Sequence, residues 1–422
     1  MKNIDMSDHL NQTCVIIGAS HAGVNAAFAL RKEGWSGPIT LIDADPHLPY
    51  HRPPLSKAYL TSDDDINSHL LKPISSYQQN DIELKLGVAV EELDAKTNTL
   101  LLANGEQLTF GKLIIATGAH AFVPPIAGLA DAKNVFTLRN AEDVNRIRET
   151  YRNLAEQQRQ RVAVIGGGYI GLETAASLRK MGADVTVIER ESRILARVTT
   201  AQMSKFFTDL HQQRGVDIAT DKQVDAISVS DSGYVLRCAD ATEIQCDMVI
   251  IGVGVSVNTK LAAQAELMLE NGIAVNAYGQ TSNPAIYAIG DCSYHHNPHY
   301  DRKLRLESVQ NAVDQAKVAA AHLCGKPQTY DAIPWFWSDQ YDVKLQMVGL
   351  SDDHDEAITR QEIEPNKFSV WYFKQHELVA VDAVNQAKAY VLGTKLIKTR
   401  QAVNKAHVAD TSIELKLANL ID

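Results

Sequence analysis

The sequence predicts an α/β chain with two doubly wound, parallel-sheet domains and a smaller α+β domain at its C-terminal side. Three observations carry this. A strand, a small-residue turn and a helix follow one another near residues 14–32 and again near 161–178. Two apolar runs, 113–118 and 248–254, each leave a strand through glycine. Beyond Pro334 the helical spacing gives way to strand-like alternation, as in 344–348 and 368–373. A strand feeding a glycine turn into a helix is the opening of a Rossmann-like unit, and two openings in one chain predict two such units.

The fuller copy spans residues 161–189. Val162, Val164 and Ile165 make a short apolar strand, and Gly166, Gly168 and Gly171 hold the G-x-G-x-x-G spacing. The first glycine permits a tight turn, the second lets backbone N–H groups approach a pyrophosphate, and the third lets helix and strand pack closely. Leu172, Ala176 and Leu178 continue the helix, whose positive end suits phosphate. A second strand, 185–188, ends on Glu189, about 20 residues past the glycines, where a carboxylate binds a ribose diol. That acid favours NADH over NADPH, although Arg190 and Arg193 stand nearby. The candidate NAD-binding set is Gly166, Gly168, Tyr169, Ile170, Gly171, Glu189 and Arg190, with Gly254 from the later glycine exit.

The earlier copy runs through Cys14 and Ile17 to Gly18, Ser20, His21, Ala22 and Gly23, with Ser20 in place of the middle glycine. A helix from about 22 to 32 ends near Gly34, and a strand, 38–42, leads to Asp43, Ala44 and Asp45. Two dinucleotide sites in one polypeptide imply two dinucleotides, one supplying chemistry that the other lacks, and FAD is the economical choice beside NADH. Ala285 to Asp291 is a further strand that delivers Gly290 for close approach and Asp291 as an acceptor. A long helix then opens at Val309 behind Ser308, a natural cap, and stops near Gly325.

Composition narrows the function class. The chain has 422 residues and a net charge of −10, enough for two or three domains and unsuited to a nucleic-acid or anionic-membrane partner. The first residues, MKNIDMSDHLNQ, have no apolar core of a leader, and no apolar run approaches a membrane span, so a cytoplasmic protein is expected. Five cysteines, Cys14, Cys238, Cys246, Cys292 and Cys324, lie far apart with no C-x-x-C or C-x4-C spacing, and Cys14 falls in a strand as a buried thiol would. Tyr294, His295, His296 and His299 fit no metal spacing and read as solvated loop residues; no metal site is expected.

Several motifs carry a resemblance. The run from Leu48 to Lys57, LPYHRPPLSK, and the later PWFWSDQY from Pro334 are similar to those of the FAD-dependent ferredoxin reductases of oxygenase systems. This is the putidaredoxin reductase and rubredoxin reductase group of the pyridine nucleotide-disulfide oxidoreductases, with apoptosis-inducing factor as a relative. The prolines fix an extended course that places Arg52 and Lys57. The resemblance implies four segments: an FAD-binding domain in two parts, 1–118 and 255–333, an NAD-binding domain at 119–254, and a C-terminal interface domain at 334–422. It implies FAD contacts at Gly18, Ser20, His21, Ala22, Gly23, Asp43, Ala44, Arg52, Lys57, Val90, Thr117, Gly118, Arg139, Gly290, Asp291, Val309 and Trp337. Where the family has an acid at the FAD ribose this chain has Ala44, which leaves Asp43 or Asp45 for that contact.

The resemblance further implies a mechanism. Hydride passes from NADH to FAD, Lys57 and Glu173 form an ion pair beside the flavin, Tyr169 covers the flavin until NADH arrives, and Trp337 lies near it, with a core role as its rival. No cysteine stands in residues 43–57, where NADH oxidases, peroxidases and CoA-disulfide reductases carry their redox cysteine, and no pair has the C-x4-C spacing of glutathione-type disulfide reductases. The electrons are therefore expected to leave singly for a [2Fe-2S] ferredoxin that feeds a cytochrome P450 or a ring-hydroxylating dioxygenase. Rubredoxin is the alternative acceptor. A signalling flavoprotein like apoptosis-inducing factor would show a basic surface and a targeting segment. Arg302, Lys303 and Arg305 are either basic contacts for an acidic redox protein or a solvated face. The oligomeric state is open.

Overall fold

The computed structural model describes residues 12–421, so the N-terminal stretch, in which no leader was expected, lies almost wholly outside the described residues. Contacts divide the chain into two compact units.

The first unit comprises the chain up to His51, Asp65–His120 and Ser256–Pro334. Its centre is a five-stranded parallel sheet in the order Ile286–Ala288, Lys112–Ile115, Cys14–Ile17, Ile39–Asp43, Ile82–Leu86. The glycine-turn strand is the middle one, with Cys14 opposite both Ile39 and Lys112. A parallel strand covered on both faces must be apolar throughout, and Cys14–Ile17 is buried at all four positions. On one face the helices His21–Glu33 and Val309–Leu323 share a core rich in alanine, Ala26, Ala27, Ala316, Ala319 and Ala320, which lets helix backbones come close. The other face is closed by an antiparallel ladder, Val90–Asp94, Thr99–Leu102 and Gln107–Thr109, whose Leu93, Leu100 and Leu102 join Val15, Ile17 and Ile115. The Asn104-Gly105 turn of that ladder and the left-handed Gly34 at the helix stop follow the sequence pattern.

The second unit comprises Arg52–Asp64, Ala121–Val255 and the chain from Trp335. It repeats the plan: a parallel sheet ordered Asp217–Ala219, Asp184–Ile188, Arg161–Ile165, Met248–Ile251, Val135–Thr137, again with the glycine-turn strand in the middle. A second ladder, Val224–Ser230, Gly233–Cys238 and Glu243–Cys246, closes one face through Ile227, Leu236 and Cys238 against Ala163, Ile165 and Val249. The C-terminal part is a five-stranded antiparallel sheet, Trp335–Gln340, Val343–Gly349, Glu377–Val384, Phe368–Lys374, Glu356–Gln361. Helix Ala387–Thr399 lies on it so closely that a Cβ on Gly393 would come 2.6 Å from Val381 Cγ2.

Among the described residues no helix is long and apolar enough to cross a membrane, and no group of three or more His, Cys, Asp or Glu is arranged to hold a metal ion. All five cysteines are buried and unpaired. Burial pushes the Cys14 and Cys246 thiols up to about 12, the reverse of what a reactive thiolate needs.

Candidate functional site

In each unit a neighbouring strand's exit seals the glycine turn. Gly18 has φ +106°, and a Cβ there would sit 2.2 Å from Ala116 O, in the exit that continues to Thr117 and Gly118. Gly166 has φ +111°, and its Cβ would sit 2.3 Å from Gly252 O, in the exit that continues to Gly254. The last glycines answer in the same way: Cβ atoms on Gly23 and Gly171 would fall 1.8 and 2.1 Å from Gly18 O and Gly166 O. Gly168 and Gly254 differ, because a Cβ on either would meet nothing within 4 Å. Protein packing therefore explains Gly166 and Gly171, whereas Gly168 leaves bare backbone in open space at the start of helix Tyr169–Lys180. That is the surface a pyrophosphate requires.

The first unit gathers most of the expected FAD set. Ser20, His21 and Ala22 open helix His21–Glu33 beside Gly18, and Gly290 lies against them, its Cβ position 3.0 Å from Ala22 Cβ. Asp43 ends its strand at the turn, where Oδ2 accepts from Ala19 N at 2.5 Å and Oδ1 from Asp45 N at 2.9 Å. Asp45 instead faces His47 and the Tyr50 hydroxyl, 2.6 Å from Oδ2, and Ala44 is exposed. Thr117 is tied to Asn258 through both its hydroxyl and its carbonyl. Asp291 sits in a single 3-10 turn, Gly290–Cys292, and Val309 is the first residue of the helix capped by Ser308, whose Oγ accepts from Asn311 N at 3.1 Å. The cradle thus offers backbone amides, a helix start and two carboxylates, which fits a dinucleotide. Val90, at the head of the antiparallel ladder, packs against the core cluster that contains Ile17, Ile42 and Ile115.

Gln315, unremarked in the sequence, joins these pieces. Its Oε1 accepts from Gly290 N at 2.7 Å and Ser293 Oγ at 2.8 Å, and its amide meets His295 Nδ1 at 3.1 Å. His295 consequently corrects the expectation of a solvated loop. It lies on strand Ser293–Asn297, 2% exposed, edge-on to Tyr330, and burial lowers it to about 4. A strand whose inward residues are Ser293, His295 and Asn297 shows no apolar alternation, so the period was masked.

Arg52, Lys57, Arg139 and Trp337 belong to the second unit. The two prolines begin a 3-10 turn, Pro53–Ser56, that lies on helix Tyr169–Lys180, where Ser177 Oγ donates to Ser56 O at 2.7 Å. Arg52 donates to Arg139 O at 2.8 Å. Lys57 Nζ reaches Glu173 Oε2 at 2.5 Å, so the ion pair that the resemblance implied forms. Glu173 is 2% exposed and fully engaged: Ser56 Oγ donates to Oε2 at 2.6 Å and Ser338 Oγ to Oε1 at 2.7 Å. Neither serine was assigned this part from the sequence, since single hydroxyls 117 and 165 residues from the glutamate carry no pattern.

Tyr169 packs its ring 5.1 Å from that of Phe336, and its hydroxyl lies 3.0 Å from Met347 Sδ. Burial raises the phenol well above its usual range, with the charges of Asp382 and Glu173 adding. Ile170 beside it is 47% exposed in the open turn. Glu189 Oε2 accepts from Gly167 N at 2.7 Å and Oε1 from Glu191 N at 2.9 Å, which holds the acid at the mouth of the second glycine turn. Arg193 is spent on Thr199 O, Ala196 O and Ser204 Oγ, leaving Arg190, exposed and paired with Glu191, as the nearby cation. Trp337 is half-buried beside Trp335, at 5.5 Å, on the strand face opposite Ser338.

Comparison with known proteins identifies the family. The model of the pyridine nucleotide-disulphide oxidoreductases matches residues 12–316, and that of the reductase C-terminal domain matches 335–419. The chain is 42% identical to a 5,5'-dehydrodivanillate O-demethylase ferredoxin reductase subunit from Sphingobium sp., over 96% of this chain and 97% of the other. It is 40% identical to putidaredoxin reductase of Pseudomonas putida, over 96% of each chain. Among solved structures, a ferredoxin reductase for the CYP199A2 system of Rhodopseudomonas palustris superposes with a TM-score of 0.92 at 38% identity, covering 97% of this chain and all of that one. The covalent putidaredoxin reductase–putidaredoxin complex gives 0.90 at 39%, covering 96% and 97%. The chain belongs to the pyridine nucleotide-disulphide oxidoreductase family and carries the reductase C-terminal domain.

Proposed function

We propose that this protein is an NADH-dependent, FAD-containing ferredoxin reductase that supplies a [2Fe-2S] ferredoxin of an oxygenase system. The observation that carries the reading is a pair of dinucleotide cradles in a chain whose five thiols are all buried and unpaired. Electrons then have no sulfur relay and leave directly for a one-electron carrier. It is further supported by relatives named as the ferredoxin reductase subunit of an O-demethylase and as the ferredoxin–NAD(+) reductase component of an anthranilate 1,2-dioxygenase system, and by one solved with putidaredoxin. Unpaired cysteines fit a reducing compartment, and we place the protein in the cytoplasm.

When bound, FAD accepts a hydride and gives up two electrons one at a time. The chain's own residues hold and orient. Backbone amides of the first glycine turn and the start of helix His21–Glu33 bind the FAD pyrophosphate, Asp43 its ribose and Asp291 its ribitol. The N-terminal end of helix Val309–Leu323 offers its dipole to the flavin ring. Bare amides at Gly168 bind the NADH pyrophosphate, and Glu189 takes the ribose diol and repels a 2′-phosphate. Glu173, on the helix that starts at the same turn, and Lys57, just past the proline turn that lies on that helix, orient the nicotinamide end by their fixed charges. Tyr169, first residue of that helix, is the ring that the nicotinamide displaces. Arg52, Arg139 and Trp337 are retained as FAD contacts from the second unit, with Val90, Thr117 and Gly118 from the first.

The test is stopped-flow reduction of the flavin by NADH and NADPH, followed by mixing with panels of [2Fe-2S] ferredoxins and rubredoxins. Bleaching by NADH and rapid transfer to a ferredoxin are expected. A preparation that NADH does not bleach would refute the reading. Faster transfer to rubredoxin would assign the chain to its rubredoxin-reducing relatives, one of which, from Pseudomonas putida, is 36% identical over 89% of this chain.

A further inference from the structure

Beyond Ser338 the hydrogen bonds of Glu173 continue through the second unit. Gln340 Nε2 donates to Ser338 Oγ at 3.1 Å, Gln340 Oε1 lies 2.8 Å from His211 Nε2, and Tyr341 OH lies 3.2 Å from His211 Nδ1. Ser338, Gln340 and His211 are all 0% exposed. Strand geometry explains the alignment, because residues i and i+2 of Trp335–Gln340 share a face, and the two-residue turn at Tyr341 and Asp342, with Tyr341 at φ +57°, folds the phenol back to the imidazole. His211 comes from helix Ala201–Gln213, next to the dinucleotide-binding sheet in sequence, so the chain ties the C-terminal sheet to that helix.

The protons have only one consistent direction. A carboxylate only accepts, so the single Ser338 proton goes to Glu173 and its oxygen must accept from the Gln340 amide. The carbonyl end of Gln340 therefore faces His211, which must carry its proton on Nε2 and leave Nδ1 to accept from Tyr341. Every dipole points at Glu173. Burial lowers His211 to about 4, so the imidazole stays neutral at working pH and the arrangement persists.

We propose that Ser338, Gln340, His211 and Tyr341 are positioning residues that act as one polarised chain, anchoring the Glu173 carboxylate from the side opposite Lys57. The inference rests on the reading that the Glu173–Lys57 pair serves hydride transfer. Aligned donors strengthen one another and favour the charged form of the acceptor. The other charged or titratable groups facing this path are Lys57 and Tyr169 at the Glu173 end, with Arg179 and Arg214 at the far end, the latter stacked 5.3 Å from the Tyr341 ring and paired to Asp342.

The experiment is the rate of flavin reduction by NADH, by stopped flow across pH 5–9 (about that span), in the holoenzyme and in Ser338→Ala, Gln340→Leu and Tyr341→Phe. The acid limb should move up by about one unit, a tenfold change in ionisation, in the first two, and by less in Tyr341→Phe, which keeps the ring under Arg214. Ser338→Thr, which keeps a hydroxyl, should restore the parent profile, an outcome that mere loss of packing would not give. NADH affinity should change far less than the rate. Parent profiles in Gln340→Leu and Tyr341→Phe, alongside a slowed Glu173→Gln, would overturn the chain and leave the ion pair standing. An unaltered Glu173→Gln would overturn both.

Discussion

Adding one methyl group at two glycines of the same turn should have opposite consequences. At Gly166 the new Cβ would collide with Gly252 O at 2.3 Å, in a left-handed backbone, so Gly166→Ala should lose several kcal/mol of stability and melt earlier in calorimetry. At Gly168 the Cβ meets nothing within 4 Å, so Gly168→Ala should melt within a few degrees of the parent. Its KM for NADH should nonetheless rise roughly tenfold, because the methyl occupies the pyrophosphate approach. A normal KM would remove the ligand from that position. Glu189 makes a third case. Both its oxygens are already held by backbone amides, so Glu189→Ala should narrow the NADH to NADPH preference, as read in kcat/KM for each. A buried acid elsewhere, Asp382, accepts from Thr199 at 2.9 Å and Tyr372 at 2.8 Å, and burial lifts it to about 6. With the folded value raised, its contribution to stability is present below about pH 4 and is lost as pH rises through 6. Asp382→Asn, which keeps an acceptor and removes the charge, should therefore gain stability relative to the parent as pH rises from 4 to 7.5, by at most roughly 3 kcal/mol. A difference in melting temperature that ignores pH would contradict this.

Turns and helices were legible wherever a backbone constraint demanded a particular residue type. Gly18, Gly166, Gly34 and Gly325 all adopt positive φ and Ser308 caps its helix, whereas the prolines of LPYHRPPLSK, expected to run extended, begin a 3-10 turn, since their fixed φ suits either course. Each of these signals is local, because the constraint lies within a few residues of the one that meets it. What joins elements was not legible. Ser56 and Ser338 meet Glu173, and Gln340 and His211 continue from Ser338, so three separate stretches contribute, and a hydroxyl or amide on an amphipathic element looks the same whether it faces water or a buried acid. The Lys57–Glu173 pair was foreseen only through resemblance, since nothing in their 116-residue separation announces contact. The helix Tyr169–Lys180 is where these demands meet. Its first turn follows the glycine turn proposed to bind NADH, its Glu173 is buried, and its Ser177 fastens the proline turn. Ser177→Ala should loosen that turn and lower the rate of flavin reduction less than Glu173→Gln does, and an effect equal to that of Glu173→Gln would mean the turn, not the charge, matters most.

The molecule uses one plan twice: a parallel sheet with its glycine strand in the middle, sealed by a neighbouring exit and roofed by a three-stranded ladder. The α/β class and both cradles followed from sequence because periodicity and glycine spacing report exactly this repeated unit's strand-to-helix passage. The ladders were harder to read, since their strands alternate weakly and take their core side from partners far along the chain. In the antiparallel C-terminal sheet Val343–Gly349 alternates in part as expected, whereas Phe368–Lys374, an interior strand also expected to alternate, is buried at every position but its last, and the sheet's role in securing Glu173 was not legible.

The seclusion of the thiols gives a way to watch each unit open on its own. Cys14, Cys292 and Cys324 report on the first, Cys238 and Cys246 on the second. An alkylating reagent applied in pulses to the native protein can mark a cysteine only during a transient opening, so mass spectrometry of the labelled peptides would time each unit's breathing separately. If saturating FAD steadies its own cradle, the first three sites should slow against the other two, and the ratio would measure cofactor affinity without any turnover at all.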